Sequence, residues 1–315
     1  MKVLVVGGAG YVGGAVTDLL LQSDHEVRVY DALLYEEAYR KDVDFVLGDI
    51  RDAKTLKPQL HWAEVVIWLA ALVGDGACAL NPEITRAINQ EPVKWLTENF
   101  DGRIIFTSTC SVYGVHNAIV DEVSPTNPLS VYAATKLAAE EYLRRKNAII
   151  FRLGTLFGVG DRFSRIRLDL VVNTMIVRAH RQGRVRVFGG EQFRPLLHVK
   201  DAAKAAVQNL STTHTGIFNL HAQNVKIIDL AHQMEKYFPN LIIDQEPRTF
   251  EDARNYQVSS EKATRTWGFK PEMSTSDGIR EIKALLDENR LKDVDNPRYT
   301  NQLYLSMFNT HVTSS

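Results

Sequence analysis

The sequence predicts an α/β fold built on a parallel, doubly wound sheet, and three observations predict it. Residues 3–13 read Val-Leu-Val-Val-Gly-Gly-Ala-Gly-Tyr-Val-Gly, an apolar strand that runs into a glycine turn. Short apolar runs then alternate with amphipathic stretches through the first half of the chain, as in repeated strand–helix units. Within one of those stretches, Ser130-Val-Tyr-Ala-Ala-Thr-Lys136 sets Tyr132 and Lys136 four residues apart, on one face of a helix.

Residues 2–6 form the first strand, apolar and β-branched enough to be buried on both faces. Gly7, Gly10 and Gly13 follow at three-residue spacing, and residues 11–22 read as a helix with Val12, Val16, Leu19 and Leu20 on one side. A helix N-terminus behind a glycine turn is an anion site. Its amides point outward, the helix dipole favours a pyrophosphate, and glycine lets the backbone come close. Glu26–Tyr30 is the next strand and ends at Asp31, 18 residues beyond Gly13, near the spacing at which a carboxylate meets an adenosine ribose. That carboxylate would repel a 2′-phosphate and favours NAD over NADP. Arg28 and Arg40 are nearby cations, but Arg28 belongs to the strand itself.

Strands are also expected at 43–47, 64–69, 103–107 and 148–153, and helices near 52–60, 82–99 and 131–146. The motifs fall at the carboxyl ends of the strands, where ligands bind in such sheets. Chemistry is expected at Tyr132. A tyrosine hydroxyl ordinarily titrates near 10, and a neighbouring Lys136 ammonium would favour the phenolate and make it a base. Thr107, Ser108, Thr109 and Ser111 close the strand at 103–107 and offer a hydroxyl to a reacting oxygen.

These residues carry a resemblance. The chain resembles the extended short-chain dehydrogenase/reductase family, in particular its nucleotide-sugar epimerase/dehydratase branch. The matching pieces are Gly7–Gly13, Gly48-Asp-Ile-Arg-Asp52, Leu69-Ala-Ala71, Ser108-Thr-Cys-Ser-Val-Tyr-Gly114, Tyr132-xxx-Lys136, Arg152–Gly158 and Arg194–Asp201. They follow the family's order over most of the chain. The resemblance implies a Rossmann-type domain over 1–160 with parts of 195–225, a smaller C-terminal α/β lobe over 161–290 that binds substrate, and a tail from 291. It implies NAD as cofactor and a nucleoside-diphosphate sugar as substrate.

Residue by residue, it implies Thr109, Tyr132 and Lys136 as the catalytic triad. Gly7, Gly10, Tyr11, Val12, Gly13 and Asp31 would hold the cofactor. Asp49 and Ile50 would flank the adenine, Leu69, Ala70 and Ala71 would line the groove, and Asn89, Thr107 and Leu153 would support it. Asn173, Arg194 and Arg254 resemble contacts to the diphosphate, and Thr109, Cys110, Ser111 and Thr155 resemble contacts to the sugar. A homodimer joined by the helices near 82–99 and 131–146 is implied too.

Departures from the family narrow the reaction. Cys110-Ser111 stands where the 4,6-dehydratases carry Asp-Glu, so dehydration lacks its carboxylates. Thr155 stands where many relatives have Asn. What remains is 4-epimerisation or, as the alternative, NAD(P)H-dependent reduction of a 4-keto sugar; a cofactor-binding sensor or scaffold is a third reading. Asp31 tilts the choice to epimerisation, since a recycling enzyme can retain NAD.

The rest of the sequence agrees. Between 161 and 200 nine Lys/Arg face three acids, in a chain whose net charge is −1, and such an excess suits a diphosphate. Arg194 has its register fixed by Pro195 and the His198–Asp201 motif. His198 itself reads as a packed residue. With 315 residues and 45 % apolar content the chain can bury a large core. No apolar run approaches a membrane span and no signal peptide precedes the first strand. Cys78 and Cys110 make no metal or disulfide pattern, so a reducing, cytoplasmic setting is expected, without nucleic-acid or membrane partners. The polar tail beyond 290 is expected to be irregular.

Overall fold

The computed structural model describes residues 1–163, 165–247, 254–291 and 293–309. The first half alternates as the pattern predicts. In order come β1 (Lys2–Val6), α1 (Tyr11–Leu21), β2 (Glu26–Asp31), β3 (Asp44–Leu47), α2 (Ala53–Trp62), β4 (Val65–Trp68), α3 (Asp75–Ala79), α4 (Pro82–Asn89) and α5 (Glu91–Asn99). Then follow β5 (Arg103–Thr109), a 3₁₀ turn (Cys110–Tyr113), β6 (Val115–Val120), α6 (Val131–Leu143), β7 (Ala148–Leu153) and β8 (Thr155–Phe157). The second half contributes α7 (Val171–Gln182), β9 (Arg184–Phe188), β10 (Phe193–His198), α8 (Val199–Gln208), β11 (Gly216–Leu220), β12 (Gln223–Lys226) and α9 (Ile227–Met234). It closes with β13 (Ile242–Glu246), β14 (Asn255–Val258), α10 (Glu261–Trp267), α11 (Thr275–Asp287) and α12 (Asn301–Asn309).

Seven strands form one sheet in the order β11-β7-β5-β4-β1-β2-β3, and every pair in it is parallel. The order reverses between β1 and β4, and a ligand crevice opens at such a switch point. β4 and β7 are buried along their whole length, which is why Val65-Val-Ile-Trp68 and Ala148–Leu153 carry no polar alternation. One face of the sheet packs Val3, Val5, Ile67, Ile149 and Phe151 against α1 and α8. The other packs Leu4, Trp68, Ile104 and Phe106 against Leu56, Leu96 and Leu143. A third apolar core joins α7, α9 and α11 to β9 and β10, around Met175, Ile176, Leu230 and Ile279.

Two expected elements differ. The helix expected over 82–99 is two helices that meet at Gln90, whose φ of −113° leaves the helical line. Pro92 explains the break: it has no amide hydrogen, and its ring would strike the carbonyl four residues back. The tail is not irregular either. Residues 297–299 make a 3₁₀ turn and α12 follows, lying against α3.

Among the described residues no helix is long and apolar enough to cross a membrane. None of their His, Cys, Asp and Glu side chains gather as a metal site.

Candidate active site at the strand carboxyl ends

The glycine turn is tight because two glycines leave no room for anything else. Gly7 has φ +89°, and a Cβ there would lie 2.5 Å from the Ala70 amide nitrogen. At Gly13 a Cβ would lie 2.4 Å from the Gly7 carbonyl oxygen. The turn is thereby seated on Leu69 and Ala70, whose amides both donate to the Val6 carbonyl, at 2.8 and 2.9 Å. A bare backbone cradle at a helix N-terminus suits a pyrophosphate, so the residues present fit a dinucleotide. Gly10 is the N-cap of α1 and makes no side-chain cap, and Tyr11 and Val12 open the helix.

Asp31 stands beside this turn at the end of β2. Its carboxylate accepts from Ala9 N at 3.0 Å and Leu33 N at 2.8 Å. Burial raises its pKa, and those backbone donors oppose the rise. Arg28 does not compete for an adenosine 2′ position. It is spent on Asp44 at 2.6 Å and Gln59 at 2.9 Å and lies over the Trp62 ring. Tyr30 donates to the Asp49 carbonyl at 2.8 Å, which sets Asp49 and Ile50 at the next strand end, and the Asp49 side chain is ion-paired with Arg51. Asn89 is buried and works through the backbone: its amide accepts from Leu72 N and donates to Leu72 O, each at 2.8 Å. That clamp holds the segment of Leu69, Ala70 and Ala71.

The fold brings Thr109, Tyr132 and Lys136 together. Ser130 caps α6 by accepting from Ala133 N at 3.1 Å, and Tyr132 and Lys136 follow on the face turned to the end of β5. Thr109, at the end of β5, and Tyr132, in the first turn of α6, lie near enough for the threonine hydroxyl to act on the Tyr132 pKa. Lys136 donates to the Thr107 carbonyl at 2.9 Å and lies over the Phe106 ring. Burial pulls its pKa down to about 8. The expected lowering of the Tyr132 pKa by Lys136 is not what the structure gives. Burial pushes the Tyr132 hydroxyl well up, Cys78 and Asp75 add to the rise, and Arg167 and Thr109 oppose it. The ammonium is committed to a backbone carbonyl instead.

Cys110 is corrected as a sugar contact. Its thiol is fully buried and donates to the Arg152 carbonyl at 3.2 Å, so it points into the core of the 3₁₀ turn, and burial raises its pKa strongly. Ser111 is also turned inward. Its amide caps on the Thr109 hydroxyl oxygen at 3.1 Å and its own hydroxyl meets Tyr256 at 3.3 Å. Beneath them Glu140, Arg152 and Tyr113 form a buried charged network, with Arg152 Nη2 at 2.7 Å from Glu140 Oε2 and Nη1 at 2.8 Å from the Tyr113 hydroxyl.

Asn173 is buried with its amide committed, accepting from Gly158 N at 3.0 Å and donating to Arg167 O at 2.7 Å. Tyr11 reaches the same loop and donates to Gly158 O at 2.6 Å. Arg194 is buried and donates to the Phe193 and Arg254 carbonyls. Arg254 in turn pairs with Asp75 at 3.0 Å, and Asp75 accepts from the Ser130 hydroxyl at 2.7 Å. These arginines are thus connected to the cap of the Tyr132 helix. Thr155 lies in β8 opposite Leu196, and Leu153 pairs with Thr109 across β5 and β7.

The local excess of positive charge is largely internal. Arg167, Arg181, Arg184, Arg186 and Lys200 each pair with a carboxylate of this chain. A groove lies elsewhere, on the outer side of α6 between Pro125, Leu137, Glu141 and Ile217, and none of Thr109, Tyr132 and Lys136 lines it.

A glycine cradle, a carboxylate at the end of the next strand and Thr109, Tyr132 and Lys136 at one end of the sheet fit a dinucleotide-dependent enzyme of Rossmann type. The chain belongs to the NAD dependent epimerase/dehydratase family, whose model matches residues 3–220. It is an enzyme of sugar-nucleotide chemistry and its cofactor is NAD. The UDP-glucose 4-epimerase of Halalkalibacterium halodurans is 29 % identical over 318 residues, covering 86 % of this chain and 91 % of that one. That of Corynebacterium glutamicum is 28 % identical over 304 residues, with the same shares. The structure of UDP-glucose 4-epimerase from Thermotoga maritima with UDP-glucose superposes at a TM-score of 0.80, with 22 % identity and coverage of 92 % and 100 %.

Proposed function

We propose that this protein is a 4-epimerase of a nucleoside-diphosphate sugar, with Tyr132 as acid/base, and that UDP-glucose is the first substrate to try. The observation that carries the reading is the placing of Thr109 at the carboxyl end of β5 beside the helix that carries Tyr132 and Lys136 one turn apart, with Lys136 bound to the Thr107 carbonyl. When bound, NAD supplies a transient hydride acceptor and donor at one sugar carbon. The chain does the rest. Thr109 donates to the sugar oxygen and fixes its place. Tyr132 removes the proton of that hydroxyl and later returns it. Lys136 holds the Thr107 carbonyl, and with it the end of the strand that carries Thr109.

Two features speak against dehydration. Cys110 and Ser111 are buried where a dehydratase would need carboxylates. Asp75, which is bound to the N-cap of the Tyr132 helix, has its two oxygens engaged by Ser130 and Arg254. The same reading takes the protein to be a cytoplasmic homodimer joined through α4, α5 and α6, which sedimentation would test.

The decisive experiment incubates purified protein with UDP-glucose and follows product stereochemistry by NMR and reduced cofactor by absorbance. The expected result is a C4-inverted sugar without net cofactor change, and a loss on the order of a hundredfold or more in Tyr132→Phe. Stoichiometric consumption of reduced cofactor with a 4-keto sugar would move the reading to a reductase. Full activity of Tyr132→Phe would remove the acid/base role.

A further inference from the structure

The C-terminal segment holds loops that are distant in the chain but adjacent at one end of the sheet. β2 and β4 are the two neighbours of β1. On the β2 side the Tyr304 ring lies against Tyr35, with centroids 5.2 Å apart, and Arg298 Nη2 pairs with Glu37 Oε1 at 2.7 Å. On the β4 side Asn301 Nδ2 donates to Val73 O at 2.7 Å, and Gln302 packs so closely on Gly76 that a Cβ there would strike its amide. The loop before α7 is gripped as well. Asn301 N donates at 3.0 Å to Asp169, the forked partner of Arg167. Leu168 N donates to Tyr299 O at 3.0 Å, and Arg165 Nε to Arg298 O at 2.9 Å. The Arg165 guanidinium also lies 3.7 Å from the centre of the Tyr35 ring. A segment that holds the loops of both neighbours of β1 crosses the carboxyl end of β1, where the glycine turn lies and where the crevice opens.

We infer that residues 297–304 are a strap across the mouth of the NAD crevice, which must lift before the cofactor can enter or leave. The inference rests on NAD as cofactor and not on the acid/base role of Tyr132. The β2 loop is poorly placed to swing aside in its stead. Its far end is pinned by Lys41, whose side chain is 4 % exposed and whose ammonium donates to Gly14 O at 2.5 Å and Asp18 Oδ1 at 2.6 Å, both on α1. The strap meets that loop through the Tyr304 ring and through an ion pair whose Glu37 is 76 % exposed, and such a pair contributes little. The strap is therefore the part that lifts. A second observation points to a guest at this place. Tyr35 Oη and Asn301 Oδ1 are buried and meet no hydrogen-bond partner among the described residues, and a buried polar atom left so is costly. Hydroxyl and amide groups, which a dinucleotide carries, are the kind that satisfies them. A strap slows entry and exit together and leaves affinity nearly as it was, which a merely supporting segment would not do. It would keep the cofactor in place while a hydride is held on it, without tighter binding.

The test mixes NADH-loaded protein with a large excess of NAD and follows the loss of bound-NADH fluorescence; mixing free protein with NADH gives the association rate. Asn301→Ala and Tyr304→Ala should each speed release by about tenfold or more, speed association by a similar factor, and change Kd by less than about threefold. A chain that ends at Asp295 should show the same pattern more strongly. Lys146→Ala breaks the pair with Asp101 before β7, at the other end of the sheet, and should match the parent protein. Should the shortened chain fail to fold, the two single variants decide. Release rates that stay at the parent value overturn the inference. So does faster release with association unchanged, because the segment would then support the cradle rather than close it. A parent protein that binds no NADH would instead remove the cofactor on which the strap rests.

Discussion

Glu281 joins three parts of the molecule, and the strength of that joint can be worked out. It sits on α11 and takes hydrogen bonds from Val159 N and His198 Nε2, both at 2.9 Å, and from Lys200 Nζ at 2.5 Å. His198 is fully buried and caps α8, and Val159 follows the glycine that Tyr11 grips. Burial works against the Glu281 charge, but His198, Lys200 and the Val159 amide overcome it and hold the carboxyl at about 2, against an ordinary 4.5. A difference of about 2.5 units is on the order of 3 kcal/mol of stability at neutral pH. The folded pKa is depressed, so this contribution is full above the unfolded value and is lost as pH falls through the folded one. At about pH 3 only some 1.4 kcal/mol should remain. Urea unfolding of the parent protein and of Glu281→Gln, at neutral pH and near pH 3, measures it. The gap should be on the order of 3 kcal/mol at neutral pH and should shrink by roughly half or more in acid. A gap that is unchanged or wider in acid would refute the assignment of the stability to this ionised carboxylate.

Two further outcomes follow from contacts described above. Gly13→Ala places a methyl 2.4 Å from the Gly7 carbonyl; NAD affinity, read by quenching of tryptophan fluorescence, should drop by at least about tenfold, and an unchanged affinity would show that the turn yields without cost. Arg152→Met leaves the Glu140 carboxylate buried without its partner, so urea unfolding should show a loss of about 3–5 kcal/mol, much of it recovered when Glu140→Leu is added; a single variant as stable as its parent would refute the cost assigned to breaking this pair.

How much of this was legible in the sequence depended on how local each feature is. The strand, the glycine turn and the first helix are written in neighbouring residues, and Asp31 is found by counting. The Tyr132–Lys136 spacing follows from helix geometry, so their shared face was visible before any fold. The direction of the Lys136 ammonium was not, because the Thr107 carbonyl that captures it comes from another strand. Cys110 was misread for a similar reason: which way a side chain turns at a strand end is set by the 3₁₀ turn and by Arg152, 42 residues later. The break at Gln90 did leave a signal, the proline at 92. Arg167 left none. Arg194 drew attention through its motif, whereas Arg167 owes its place to Asp169 and to a backbone amide at residue 301.

That last contact has a consequence for synthesis. Val73 and Asn301 are 228 residues apart, so the segment that holds this loop is made long after the loop itself. The parallel sheet through β11 can assemble earlier, since its strands end at Leu220. A nascent chain can therefore own a finished glycine turn while the loop at Val73 still lacks the support that Asn301 gives it.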